Sequence, residues 1–106
     1  MEQTNARVLC EQLSLRLYIA RSTPNSVRAQ QNLAAVLEIL CGDAGGPEVE
    51  MIDVFGQAKR ALVDGVVVTP TLIAVAAAQR VVLMGDLADR DHLQRTLQDL
   101  LKPDDR

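Results

Sequence analysis

Aromatic residues are almost absent from this chain of 106 residues: Tyr18 and Phe55 are the only two, and there is no tryptophan. The core must therefore be built from leucine, valine, isoleucine and alanine. Single-stranded nucleic acids stack their bases on aromatic side chains, and duplex binding depends on basic charge. A chain with two aromatic rings and a net charge of −3 is not expected to bind nucleic acid.

Cysteine and histidine are equally scarce, which limits catalysis and metal binding. Cys10 and Cys41 lie too far apart for a Cys-x-x-Cys motif, and His92 is the only histidine. Zinc needs several such ligands at close spacing, and no glycine-rich nucleotide loop is present, so we expect no metal and no other cofactor. The first residues lack the pattern of a signal peptide, which favours a cytoplasmic protein with free thiols and with Cys41 as a small core residue. No apolar run approaches the roughly 18 residues of a membrane span, so no membrane contact is expected.

Hydrophobic periodicity predicts seven elements in the order β-α-β-α-β-β-α. The expected elements are a strand over 13–19 with one buried face, an amphipathic helix from Pro24 to about Leu40, a parallel strand over 49–54, a short helix over about 57–63, a hairpin of 72–75 and 80–84, and a last helix capped by Asp89. This is the thioredoxin-like α/β order. We expect residues 1–12 to be an N-terminal extension without chemistry and residues 13–106 to be a single domain.

The junction between the first strand and the first helix carries hydroxyl and proline residues. Thr23 precedes Pro24, where a hydroxyl can cap the first helical turn and proline sacrifices no helical hydrogen bond. A thioredoxin carries Cys-x-x-Cys at such a junction, and Ser22 and Asn25 occupy those two positions here. Neither side chain can form the thiolate that attacks a disulfide, so we expect no enzymatic activity of this kind.

Five blocks of sequence resemble the KaiB family of circadian-clock proteins, and together they span about residues 13 to 101. In order they are Leu17-Tyr18-Ile19-Ala20, Thr23-Pro24-Asn25-Ser26-Val27-Arg28-Ala29, Ile52-Asp53-Val54, Val68-Thr69-Pro70-Thr71-Leu72, and Gly85-Asp86-Leu87 with Asp89-Arg90. The resemblance implies a KaiB-like thioredoxin fold in which Pro70 is cis and lies against the first strand–helix junction. It assigns Thr23, Pro24, Asn25, Ser26, Thr69, Pro70, Thr71, Gly85 and Asp86 to the structural motif.

The resemblance also implies a non-catalytic protein–protein interaction module of biological rhythms. The family binds the hexameric clock ATPase KaiC, modulates its phosphorylation or ATPase cycle, and competes with a sensor kinase that has a KaiB-like domain. Residues 57–65 and the neighbouring hairpin edge are implied as the partner-binding region, with Lys59, Arg60, Asp64 and Arg80 as its polar residues. The chain departs from cyanobacterial members at Arg21 and Ser22, where they have Gly or Asn, and at Leu62, Val63 and Gly65, where they carry acidic residues and a lysine.

Two alternatives stay open at this point. The chain could be a thioredoxin-superfamily protein or small enzyme that binds thiols or glutathione through Cys41 or Ser22. Alternatively, its second half could adopt the rearranged, fold-switched state that the family forms in a tetramer. The family's helix-weakening glycine and nearby aspartate align near Thr96 and Gln98, which are better helix formers, so we expect the helical ending. We expect a dimer or tetramer in the free state because the strand-forming stretches 66–68 and 72–84 carry little charge.

Overall fold

The computed structural model describes residues 10–42 and 47–101, and predictions for the remaining residues lie outside this range. Within it, the elements are β1 (Ser14–Ile19), α1 (Pro24–Cys41), β2 (Val49–Asp53), α2 (Ala58–Val63), β3 (Thr71–Ala76), β4 (Gln79–Met84) and α3 (Arg90–Leu101). The predicted thioredoxin-like order is confirmed, and so is the helical ending. None of the helices in these residues combines the length and the apolar character needed to cross a membrane.

The four strands form one sheet in the order β2-β1-β3-β4. β1 pairs parallel with β2, as expected for strands joined through a helix, and antiparallel with β3. The β3–β4 hairpin is tighter than the sequence predicted, because Ala76 pairs with Gln79 and only two residues form the turn. One of them, Ala77, has a φ of 55°, in the left-handed region.

The larger core fills the face of the sheet that α1 and α3 cover. It contains Leu15 and Leu17 of β1 together with apolar side chains of both helices. In α3 the buried leucines Leu93, Leu97 and Leu100 follow helical spacing. The Asp89 carboxylate accepts a hydrogen bond from the backbone N–H of His92 at 3.0 Å, which confirms the predicted cap of this helix.

The opposite face of the sheet is also partly buried, so the prediction of a one-faced first strand is wrong. Tyr18 is fully buried in a second cluster with Ile52, Ala61 and Ile73, beneath α2. The alternation of β1 suggested a polar outer face because Tyr18 follows Ser14 and Arg16 on that face, and the helix that covers it begins 40 residues later, at Ala58. A tyrosine suits such a site, since its ring packs against apolar groups and its hydroxyl can still reach a polar partner.

Cys10 and Cys41 form a disulfide, with their Cα atoms 6.1 Å apart. The prediction of free thiols is therefore wrong, whereas residues 1–9 of the predicted N-terminal extension lie outside the described residues. The cause lies in the βαβ topology: α1 runs back along the sheet against the direction of β1. Its last residue, Cys41, thereby lies beside Cys10, shortly before β1 begins.

Candidate docking surface

The predicted structural motif gathers at one end of the sheet. The Thr69–Pro70 peptide bond is cis, which confirms the prediction made from the resemblance. The Thr71 hydroxyl donates a hydrogen bond to the Val68 carbonyl at 2.7 Å and so braces this turn. A cleft of about 400 Å³ separates the turn from the first strand–helix junction, and its lining residues are Ala20, Thr23, Pro24, Asn25, Arg28 and Thr69.

Ser26 holds the junction together. Its buried hydroxyl oxygen accepts hydrogen bonds from the Ala20 backbone N–H at 3.1 Å and from the Thr23 hydroxyl at 2.9 Å. Thr23 makes no side-chain cap bond to α1, so that prediction is wrong: its hydroxyl donates to Ser26 instead. The side-chain amide oxygen of Asn25 accepts a hydrogen bond from the Arg28 guanidinium. These contacts shape the loop and supply no nucleophile.

Gly85 and Asp86 connect the end of β4 to the same region. The Gly85 N–H donates to the Pro70 carbonyl at 2.9 Å, and Gly85 has a φ of 100°, which favours glycine. The Asn32 amide donates to the Asp86 carbonyl at 2.8 Å, and the Asp86 carboxylate lies 3.5 Å from Arg28 Nε. The motif therefore joins α1 to the β4–α3 connection, which is a structural role.

Asp64 and Arg80, two of the predicted partner-binding residues, are engaged within the domain. The Asp64 side chain is only 17% exposed; its Oδ2 accepts a hydrogen bond from the Tyr18 hydroxyl at 2.5 Å and lies 3.4 Å from Arg16 Nε. Arg80 donates to the Asp64 carbonyl at 3.0 Å. Burial raises the pKa of the Tyr18 hydroxyl, and the Asp64 carboxylate raises it further. These contacts anchor the C-terminal end of α2 to β1 and β4.

Of the other two predicted partner-binding residues, Arg60 is also engaged within the domain, whereas Lys59 is not. Arg60 forms a two-pronged ion pair with Glu50 of β2, with N–O distances of 2.6 and 3.1 Å. The hydrogen bonds from Arg60 hold the pKa of Glu50 below its usual value. Lys59 is exposed and makes no ion pair within the described part of the chain. Lys59 is thus the predicted residue whose charge is available to a partner.

The stability of the fold is expected to fall when the pH drops below about 4.5. The pKa of Glu50 is lower in the folded state than its usual value of 4.5, so the unfolded chain binds more protons in this range. The contribution of Glu50 is present above pH 4.5 and is lost as the pH falls through the folded-state pKa. Urea unfolding of the wild type and of Glu50→Gln along a pH series measures it. A stability difference between the two proteins that does not shrink in acid would contradict the prediction.

A cluster of exposed apolar side chains surrounds α2. We call it the α2 surface and define it by Phe55, Leu62, Val63, Val67 and Val68. The side chains of Leu62, Val63 and Val67 are 79%, 85% and 83% exposed. An apolar groove of about 320 Å³ follows the helix and ends at Thr69 of the Thr-Pro turn. Contiguous exposed apolar groups of this kind mark interaction sites in soluble proteins.

Charged residues, among them the predicted Lys59, Arg60 and Asp64, lie beside the α2 surface. A second, smaller groove of about 250 Å³ is lined by Arg16, Lys59, Arg60, Val63 and Asp64, so Val63 of the α2 surface lies beside these charged residues. The region was predicted from the sequence, but its apolar members were not, apart from Leu62 and Val63 as departures from the family. The sequence did carry one signal for exposed apolar side chains. Leu62 and Val63 directly follow Ala61, and Ala61 already fills the inward side of this short helix.

The arrangement does not support the thiol-based alternative. Cys41, the thiol on which it relied, is held in the disulfide at the C-terminal end of α1, whereas the motif lies at the N-terminal end of that helix. Ser22 is exposed and has no hydrogen-bonded base among residues 10–42 and 47–101. The described part of the chain contains no group of three or more His, Cys, Asp or Glu side chains that could hold a metal ion.

Comparisons with known proteins agree with this fold. The N-terminal domain of SasA from Synechococcus elongatus superposes with a TM-score of 0.71 and 25% identity, covering 86% of this chain and 84% of that domain. A mutant thioredoxin from Halobacterium salinarum superposes with a TM-score of 0.65 and 23% identity, over 99% of this chain and 88% of the thioredoxin. The fold is therefore thioredoxin-like.

Sequence comparison is more specific. The circadian clock oscillator protein KaiB of Synechococcus elongatus is 39% identical over 77 residues, which cover 73% of this chain and 74% of that protein. The circadian clock protein KaiB3 of Synechocystis is 41% identical over 78 residues, with 73% and 74% coverage. The KaiB domain matches residues 16–99. The chain belongs to the KaiB family.

Proposed function

We propose that this protein is a non-catalytic interaction module that binds a KaiC-like hexameric ATPase and modulates its phosphorylation or ATPase cycle. The observation that carries the proposal is the α2 surface, where Leu62, Val63 and Val67 are exposed beside an apolar groove. Membership of a family of clock proteins supports it.

The way α2 is fixed to the sheet supports a docking role. A helix of six residues has little stability of its own. Here it is held by Ala61 in the second core cluster, by the Tyr18–Asp64 hydrogen bond and by the Arg60–Glu50 ion pair. Its outward side chains are therefore presented on a preformed surface, which lowers the entropic cost of binding.

Charge favours a partner with an acidic surface at this place. The protein as a whole is acidic, with a net charge of −3. Around α2, by contrast, Arg16 and Arg60 are paired with Asp64 and Glu50, and the exposed Lys59 beside them leaves an excess of positive charge on this groove. A locally basic rim accelerates association with an acidic partner and helps to orient it.

Competition with a sensor kinase belongs to the same proposal. The SasA N-terminal domain shares the fold at a TM-score of 0.71. Two domains of one fold can present similar surfaces to a common partner, so a kinase with such a domain would compete for the ATPase. Self-association to a dimer or tetramer would hide exposed apolar groups such as Val67 in the free state.

Charge reversal at Lys59 tests the proposed rim. Lys59→Glu is expected to slow association with a purified hexameric KaiC-like ATPase by about two- to fivefold at low salt, because rim charges act mainly on the association rate. The matched control is Arg95→Glu, an exposed charge reversal on α3, which covers the other face of the sheet. Stopped-flow or surface-based kinetics measure both. Equal association rates for the two variants would refute the assignment of Lys59.

A further inference from the structure

We propose that Cys10 and Cys41 form a reversible dithiol–disulfide pair, a redox-controlled clamp that fastens the segment before β1 to the end of α1. The proposal does not rest on the docking function. The co-reactant is a low-molecular-weight thiol such as glutathione, and the site lies at the end of α1 away from the cis-proline cleft.

The disulfide links residues 10–13, the described residues before β1, to the end of α1. Cys10 is only 1% exposed, and Leu13 is buried in the larger core. Between them, Glu11 and Gln12 are exposed, and the Leu13 N–H donates to the Cys10 carbonyl at 3.1 Å. Without the disulfide, Leu13 would still be held by its burial and by β1. The turn at Cys10 would lose its covalent link to α1.

The two cysteine residues differ in exposure, and this difference favours one route of reduction. Cys41 is partly exposed, whereas Cys10 is buried. A thiolate of glutathione attacks the Cys41 sulfur, forms a mixed disulfide there and releases Cys10 as a thiolate, which takes up a proton. A second glutathione thiolate attacks the glutathione sulfur of the mixed disulfide and releases Cys41. The net reaction converts one protein disulfide and two glutathione thiols into two protein thiols and one glutathione disulfide, a transfer of two electrons.

The position of the pair indicates a clamp and not an oxidoreductase centre. Cys41 is the last residue of α1, where the helix dipole places partial negative charge. A thiolate is disfavoured there, whereas a thioredoxin-type nucleophile lies at a helix N-terminus and is stabilised. We therefore expect slow exchange with small thiols and no turnover of disulfide substrates.

The closed loop spans 31 residues of sequence separation and contains β1 and α1. Opening a loop of this length increases the conformational freedom of the unfolded chain. The reduced protein should stay folded, because the larger core does not depend on the sulfurs, but it should melt at least about 10 °C lower.

The experiment equilibrates the full-length protein in glutathione redox buffers, quenches it in acid, and counts alkylated thiols by mass spectrometry. We expect both cysteines to change together in one reversible two-electron transition. Thermal melting of the oxidised and reduced forms should show the predicted shift. Hydrogen exchange should increase at residues 10–13 and in the last turn of α1, with α2 unchanged.

Cys10→Ser and Cys41→Ser supply the matched variants. Each variant is expected to have the melting temperature of the reduced wild type, and dithiothreitol should not change that temperature. If one of them does not fold, the other is used for the comparison. Four results would overturn the proposal: independent titration of the two cysteines, a pair that stays reduced or oxidised throughout the glutathione range, an intermolecular disulfide, or identical melting of the oxidised and reduced wild type.

Discussion

Replacing Leu97 by alanine is expected to lower the free energy of unfolding by about 2–5 kcal/mol, the range seen for large-to-small changes in close-packed cores. Leu97 is 0% exposed and lies in the larger core with Leu93 and Leu100 of the same helix. The truncated side chain leaves a cavity that the sheet and α1 cannot fill without moving. Urea denaturation monitored by circular dichroism measures the loss.

The neighbouring residue provides the control. Gln98 is exposed on α3, and Gln98→Ala should change stability by less than about 0.5 kcal/mol. Leu97→Met, which keeps the volume, should cost less than about 1.5 kcal/mol and remains measurable if the alanine variant is unfolded. This difference in sensitivity to substitution between residues 97 and 98 follows from a helix over Arg90–Leu101 that buries one side. Equal sensitivity at residues 97 and 98 would contradict the thioredoxin-like ending.

Elements with strong local signals were predictable from the sequence. The last helix combines leucines at helical spacing with an aspartate at its start, and the structure realises both features. The helix that begins at Pro24 was predicted to within one residue of its observed end at Cys41. These signals are local, because they depend on residues within a few turns of one another.

The disulfide and the burial of Tyr18 were not predictable in this way. Cys10 and Cys41 meet because α1 reverses direction along the sheet, and their spacing of 31 residues carries no sign of it. Tyr18 is buried because Ala61 of α2 packs against it, and Asp64, directly after α2, accepts the hydrogen bond of its hydroxyl. Both features depend on the relative placement of elements, which periodicity does not report.

Arg21 adopts an unfavourable backbone conformation in the loop after β1. Arg21, which the sequence comparison with the family singled out as a departure, has a φ of 55°, a conformation that costs most side chains roughly 1–2 kcal/mol. Its guanidinium lies 4.9 Å from the centre of the Phe55 ring. This cation–π contact is worth about 0.5–1 kcal/mol at an exposed site and offsets part of the cost. It also links the first loop to the α2 surface.

The α2 surface itself was only half predictable. The polar residues of the region were identified, but the structure engages Asp64 and Arg80 internally and leaves the apolar side chains Leu62, Val63 and Val67 outside. A helix of six residues offers fewer than two turns of sequence, so its inward and outward sides cannot be separated by periodicity.

Aspartate at both Leu62 and Val63 is expected to weaken binding to a KaiC-like ATPase by at least about tenfold. Exposed apolar anchors at the centre of an interface cost more than about 1 kcal/mol each when removed, and a buried carboxylate adds a desolvation cost. Both side chains are more than three-quarters exposed, so the double variant should keep its folded stability to within about 1 kcal/mol. Circular dichroism melting verifies that it is folded.

Ile39→Asp is the matched control, because Ile39 is 64% exposed and lies on α1, which covers the face of the sheet opposite α2. The decisive measurement is the equilibrium dissociation constant of the wild type, Leu62→Asp/Val63→Asp and Ile39→Asp for the purified hexameric ATPase, all at one salt concentration. We predict saturable binding of the wild type, an unchanged dissociation constant for Ile39→Asp, and a value at least about tenfold higher for the double variant. Absence of wild-type binding, or the same dissociation constant for all three proteins, would contradict docking through the α2 surface.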